Sequence, residues 1–223
     1  MCTSSGNAIR NEMKKPMNTV ITQEHVEKSM SYEQYLKLTD QLLQENRTTG
    51  NNQSPAMVEY TRLNDRRMKR LNKTVKLNDE IIERLQSVDT PWIWLVLTEP
   101  WCGDAAQNIP VLAKMAEVNE HISLRLMLRD ENPEVMDAYL TNGGRSIPKL
   151  VCLTPELEEI GTWGPRPEPV QQMVQDFKKE ENGDYKIFVE KVQLWYARDK
   201  TQTLQGELRP LLDEWITKSK TAQ

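Results

Sequence analysis

Residues 92–97 read Trp-Ile-Trp-Leu-Val-Leu, a continuous apolar run of aromatic and β-branched side chains that breaks at once into a turn containing Pro100 and Gly103. Such a run has no polar face, so it fits a strand covered on both sides, and a strand of that kind needs helices above and below it. The chain beyond supplies them. Helical spacing at 104–118 gives way to a strand-like stretch at 122–128, then to a helical segment at 133–140, a strand at 149–153 and a further strand within 157–163. This alternation indicates an α/β layer structure.

Both flanks are helical in pattern. Ser31 can cap a helix over 31–44 that carries Tyr32, Tyr35, Leu36, Leu42 and Leu43 at near-helical spacing. Residues 47–54, rich in Asn, Thr and Gly, read as a loop. A second helix starts near Pro55, and Asn78 can cap a shorter one through Leu85. After the last strand come three helical pieces, the third carrying Leu204, Leu208, Leu211, Leu212, Trp215 and Ile216, where Pro210 is expected to kink or interrupt the helix. The expected organisation is a flexible tail at 1–22, an N-terminal helical extension at 23–88, the α/β domain at 89–180 and a C-terminal helical extension at 181–223 packed on that domain.

Charge narrows the partners. A net charge of -4 argues against a general nucleic-acid binder, which needs a basic surplus on at least one face. One basic run, from Arg62 through Arg66, Arg67, Lys69, Arg70 and Lys73 to Lys76, covers most of a helix circumference and is read as a solvated face, with an anionic-partner surface as the alternative. No stretch approaches the roughly 20 apolar residues that cross a bilayer, so no membrane partner is expected. Cys2, Cys102 and Cys152 are too few and scattered for a disulfide framework or a zinc site, and His25 and His121 form no Cys-His pair with them. With no apolar leader at the start, a reducing, cytoplasmic setting is expected, with no metal and no cofactor.

The chemistry concentrates in the sequence EPWCGDA at 99–105, where the buried strand ends and a helix begins. The first turn of a helix presents unpaired N–H groups and the positive end of its dipole, and both stabilise a thiolate. Asp104 suits that helix start but opposes ionisation of Cys102, as does Glu99 if it faces inward. A moderately lowered pKa for Cys102 is therefore expected.

These residues resemble the thioredoxin family. Thioredoxins carry Trp-Cys-Gly-Pro-Cys, and their helix has a proline eight positions after the first cysteine; this chain reads WCGDAAQNIP, with Pro110 eight after Cys102. They also carry a cis-proline in a segment of the form Arg-X-Ile-Pro-X-Leu, which Arg145-Ser-Ile-Pro-Lys-Leu150 fits, with Pro148 46 residues beyond Cys102. The resemblance implies a thioredoxin fold, a central mixed sheet flanked by helices, with the N- and C-terminal helical extensions added. It also implies a cis Pro148 beside Cys102, and an Ile147 backbone offered to an extended substrate as an added strand. Trp101, Gly103, Asp104, Arg145 and Trp163 complete the expected substrate-facing set.

The departures from the family pattern are as informative. Ala105 stands where thioredoxins have the resolving cysteine, so a mixed disulfide on Cys102 cannot be broken from within. Val96 stands where they bury an aspartate that serves that second cysteine. Cys152, four residues along a strand from Pro148, should lie roughly 13 Å from it, beyond the ~7 Å Cα separation that a disulfide allows; it reads as core. Two functions remain open. One is a monothiol protein whose Cys102 forms mixed disulfides with a protein or low-molecular-weight thiol, resolved by an external thiol. The other is a redox-inactive module that uses the Ile147–Pro148 groove and the extensions to hold a protein partner.

Overall fold

The computed structural model describes residues 20–221 of the 223; Cys2 and most of the expected tail lie outside them. The chain runs α1 (Gln23–Lys28), α2 (Tyr32–Gln44), α3 (Pro55–Thr74), α4 (Asp79–Gln86), β1 (Trp92–Thr98), α5 (Gly103–Ala116), β2 (Ile122–Leu128), a 3-10 turn (Arg129–Glu131), α6 (Pro133–Ala138), β3 (Lys149–Leu153), β4 (Glu159–Trp163), α7 (Glu168–Phe177), α8 (Tyr185–Asp199) and α9 (Gln202–Thr221). Among the described residues no helix is long and apolar enough to cross a membrane.

The four strands form one mixed sheet in the order β2-β1-β3-β4. β1 pairs with β2 in parallel and with β3 antiparallel, and β3 pairs antiparallel with β4. As the apolar run of β1 implies, both faces of the sheet are covered, and alternate side chains enter different cores. Trp92, Trp94 and Val96 join Tyr35, Met68, Ile109, Leu112 and Leu208 on one side. Leu95 and Leu97 join Ile21, Val135, Met136 and Ile147 on the other. Cys102 touches both cores, because β1 delivers it to the sheet's end between the two layers.

The helix starts follow from their caps. Ser31 and Gln34 form a reciprocal capping box at α2, Asn78 accepts the Ile81 N–H at α4, and Asp184 accepts from Lys186 and Ile187 at α8. α1 has a capping box of its own between Thr22 and His25. Ile21 is buried beside it, so the packed chain begins ahead of the expected boundary at 23. Met30 then exchanges backbone hydrogen bonds with Leu126, covering part of the otherwise open β2 edge.

The C-terminal extension is built into the domain. α9 seats Trp215 against β1 and β4, its ring edge-on to both Trp92 and Trp94 at 6.4 Å between centroids. A Cβ on Gly161 of β4 would stand 2.0 Å from Trp215 Nε1, so the close approach of helix to strand needs glycine there. α9 is not interrupted at Pro210, one of the two outcomes expected there, and continues from Gln202 to Thr221. Leu204, Leu208, Leu212 and Trp215, all buried on one face, hold both halves to the core across the hydrogen bond the proline removes.

Candidate functional site

The turn after β1 is pinned from several directions. Cys102 N–H donates to the Glu99 carbonyl at 3.0 Å, which closes the turn and makes Cys102 the N-cap of α5. From α3, the buried Asn64 donates through Nδ2 to the Pro100 carbonyl at 2.9 Å and accepts from Arg67 at 2.7 Å. Glu99 does face inward. It is fully buried, accepts from the Thr49 hydroxyl and from the Asp130 N–H at 2.8 Å, and burial pushes its carboxyl up to about 7 against those two hydrogen bonds. The Arg129 guanidinium lies 4.8 Å over the Trp101 ring and donates to the Arg145 carbonyl at 3.1 Å, linking the turn to the segment before β3.

Cys102 Sγ accepts the Ala105 N–H at 3.5 Å and donates to the Ile147 carbonyl at 3.3 Å. The Ile147–Pro148 bond is cis, so the two sequence segments meet at the sulfur. A second cis bond joins Gly164 to Pro165. Gly164, at φ +113°, packs on the Pro148 carbonyl so tightly that a Cβ would stand 2.3 Å from its oxygen. That turn delivers Arg166, whose Nε meets Asp104 Oδ2 at 2.7 Å with both side chains largely buried. From α8 the Tyr196 hydroxyl donates to Asp104 Oδ1 at 2.8 Å and accepts from Asn108 at 3.2 Å.

This shell reverses the expected acidity of the thiol. Burial pushes Cys102 up to about 12, the Asp104 carboxylate adds to the rise, and the Ala105 N–H and the more distant Arg166 oppose it only in part. Burial raises Asp104 as well, against Arg166 and Tyr196. The helix terminus helps a thiolate as expected, but desolvation by the packed turn outweighs it.

The other anticipated residues divide. Gly103 sits beside the thiol, where a Cβ would stand 3.3 Å from Gln193 of α8 and 4.0 Å from Arg67 of α3. Arg145 points outward into a two-bond pair with Asp137, at 2.7 and 2.6 Å, and contributes its carbonyl rather than its charge. Trp163 is a packing residue, buried in the helix-side core with its indole N–H donating to Glu207 of α9 at 3.0 Å. Ala105 and Val96 are buried in that same core. Cys152 is fully buried in register with Trp94, and burial raises its thiol.

Thr49, Asn64, Arg166 and Tyr196 were not legible as site residues. They stand 38 to 94 positions from Cys102, and only the folded chain brings them in.

A cysteine capping the helix after the central strand, beside a cis-proline, on a mixed sheet of order β2-β1-β3-β4, defines a thioredoxin-fold protein. The family model described as Thioredoxin matches residues 50–178, more than half of the chain, and the protein belongs to that family. The matched span starts before α3, so it takes in α3 and α4 together with the sheet. Among solved structures, the chain is similar to a protein of unknown function, PA1234 from Pseudomonas aeruginosa, with 16% identity, 90% of this chain and 97% of that one covered, and a TM-score of 0.55. It also aligns with an HIV epitope-scaffold at 17% identity, over 87% of this chain and 100% of that one, with a TM-score of 0.47. No curated protein matches the chain. The first likeness establishes the fold over nearly the whole chain, the flanking helices included.

Proposed function

We propose that the protein is a monothiol exchange protein in which Cys102 forms mixed disulfides that an external thiol resolves. The observation that supports this best is the seat of the sulfur at the N-cap of α5, beside cis Pro148 and 3.3 Å from the Ile147 carbonyl. In the first step Cys102 attacks one sulfur of a substrate disulfide RS–SR′, forming Cys102–S–S–R and expelling R′S⁻, which takes up the proton lost from Cys102. An external thiol R″SH then loses its proton and attacks the R sulfur, forming R–S–S–R″ and returning Cys102 as the thiol. No internal cysteine takes part.

At rest the thiol holds its proton, and its bond to Ile147 O favours that neutral form. An extended substrate pairing with the Ile147 backbone competes for the carbonyl and weakens that bias. A thiol of high pKa is a slow nucleophile at neutral pH but also a poor leaving group, so the mixed disulfide, once formed, is long-lived. The raised pKa equally favours the second reading, a redox-inactive module that holds a protein partner on the same edge.

Mass spectrometry of the intact protein after incubation with oxidised glutathione separates the two. With Cys2 replaced by Ser, exchange predicts one adduct, on Cys102, absent when Cys102→Ala is added and removed by dithiothreitol. Alkylation of Cys102 by iodoacetamide should quicken about tenfold per pH unit from about pH 7 to pH 10, with no plateau. A native protein that takes up no adduct, while the unfolded chain does, would rule out exchange and leave the binding module.

A further inference from the structure

The basic run of α3 does not face solvent alone. Arg66, Arg67 and Arg70 line one wall of a cleft of about 360 Å³ whose other wall includes Gln193 of α8 and whose floor includes Gln107 of α5. We propose that this cleft binds a small organic anion through its carboxylate or phosphate groups.

The charges in the cleft are not neutralised from within. Arg67 is part-buried and donates to a neutral partner, Asn64 Oδ1. Burial lowers its pKa, and Arg70 and Arg66 lower it further by repulsion. Arg66 reaches a carboxylate only at 3.4 Å, on the exposed Glu59. Among the described residues neither Arg67 nor Arg70 meets a carboxylate within 4.0 Å. Like charges three and four residues apart on a helix repel, so a solvated face would gain from dispersing them or pairing them with acids, as Lys69 of the same helix is paired with Asp65 and with Asp40 of α2. Here three guanidinium groups converge on a concavity instead, in a chain whose net charge is -4.

The remaining lining is mixed, with Leu63 and Ala197 apolar and Gln107 and Gln193 supplying neutral polar groups. Gln107 Nε2 donates to Gln193 Oε1 at 2.7 Å, tying floor to wall and leaving the Gln193 amide N–H₂ as a neutral donor beside the guanidinium forks. That group stands 3.3 Å from where a Cβ on Gly103 would be, at the first turn of α5. The volume lies in the range of small-molecule sites, and guanidinium forks bind carboxylate and phosphate in the same bidentate way. The cleft is distinct from the substrate edge. Cys102 Sγ faces Ile147 O, whereas Gly103 turns toward α3 and α8.

Calorimetric titration of the full-length protein at fixed ionic strength tests this, with citrate as the carboxylate probe and pyrophosphate as the phosphate probe. Saturable 1:1 binding of either is expected, weakened about tenfold or more in Arg67→Gln and in Arg70→Gln, since charge-assisted hydrogen bonds are lost. Arg70 is exposed, so its variant reports on binding even if Arg67→Gln folds poorly. Arg47→Gln, outside the cleft, should bind like the native chain. Preference for citrate or pyrophosphate assigns the class of anion. Heats no larger than those of added chloride with both probes, or equal affinity in all three variants, would overturn the proposal.

Discussion

Replacing Glu99 with Gln should stabilise the protein at pH 8 and affect it far less at pH 5. Glu99 is fully buried and its carboxyl is raised from 4.5 to about 7, with burial as the main cause. The folded state therefore holds this proton more tightly than the unfolded chain does. The stability it contributes is complete below about pH 4.5 and is lost as the pH rises through about 7. A difference of about 2.5 pKa units at ~1.36 kcal/mol per unit amounts to about 3 kcal/mol across that window. Glutamine keeps the shape and can keep both hydrogen bonds, its Oε1 accepting from the Asp130 N–H and its N–H₂ donating to a Thr49 hydroxyl that turns to accept. Urea unfolding of both proteins, followed by tryptophan fluorescence at several pH values between about 5 and 8, gives the difference directly, and other carboxylates cancel from it. The variant's advantage should grow with pH toward about 3 kcal/mol, or roughly 6–12 °C in melting temperature for a chain of this length. A difference that stays constant from pH 5 to pH 8 would refute the assignment of a neutral, buried Glu99 in the folded state.

Two further substitutions probe the site and its support. Ala105→Cys should confer at least weak dithiol reductase activity toward a protein disulfide with dithiothreitol as electron source; if the native protein is already as fast, the missing second cysteine does not limit it. Gly161→Ala should cost about 2–3 kcal/mol or more in urea unfolding, because its Cβ would fall 2.0 Å from Trp215 Nε1 and 2.7 Å from Cε2, in a ring wedged against two other tryptophans; a loss under ~0.5 kcal/mol would mean that α9 is not held to β4 there.

The sheet and its helices were legible because their signals are local. The apolar run of β1, the caps at Ser31 and Asn78, and the Trp-Cys-Gly and Ile-Pro segments each carry their reading within a few residues. α1 escaped because six residues are too few to show a period, and its cap uses His25 where Glu or Gln is usual. The acidity of Cys102 could not be read for a different reason. Sequence gives the charges nearest in the chain and the direction of the helix dipole, but the deciding influence is desolvation, which depends on how closely α3, α8 and the 164–166 turn pack around the motif. Arg67 shows the same limit. Its charge is plain in the sequence, while its burial against Asn64 beside Gly103 is a product of how α3 lies on α5.

The surroundings of Ala105 and Val96 bear on how the site can work. Ala105 is 1% exposed and Val96 fully buried, and both belong to the helix-side core with Trp94, Ile109 and Leu112. Where a thioredoxin would hold a thiol and its carboxylate base, this chain has continuous apolar packing, so neither can be regained without placing polar atoms in that core. Putting an aspartate at Val96 would bury a charge that the surrounding side chains cannot pair. The position of Cys102 has no such replacement: the helix cap, the cis Pro148 and the Ile147 carbonyl are all retained around it. A site with apolar packing at the second position and Cys102 held at the helix cap fits the proposed exchange, in which an external thiol finishes the disulfide. That asymmetry, rather than any single residue, supports the monothiol proposal over a simple binding surface, which would have no use for a thiol at the helix cap.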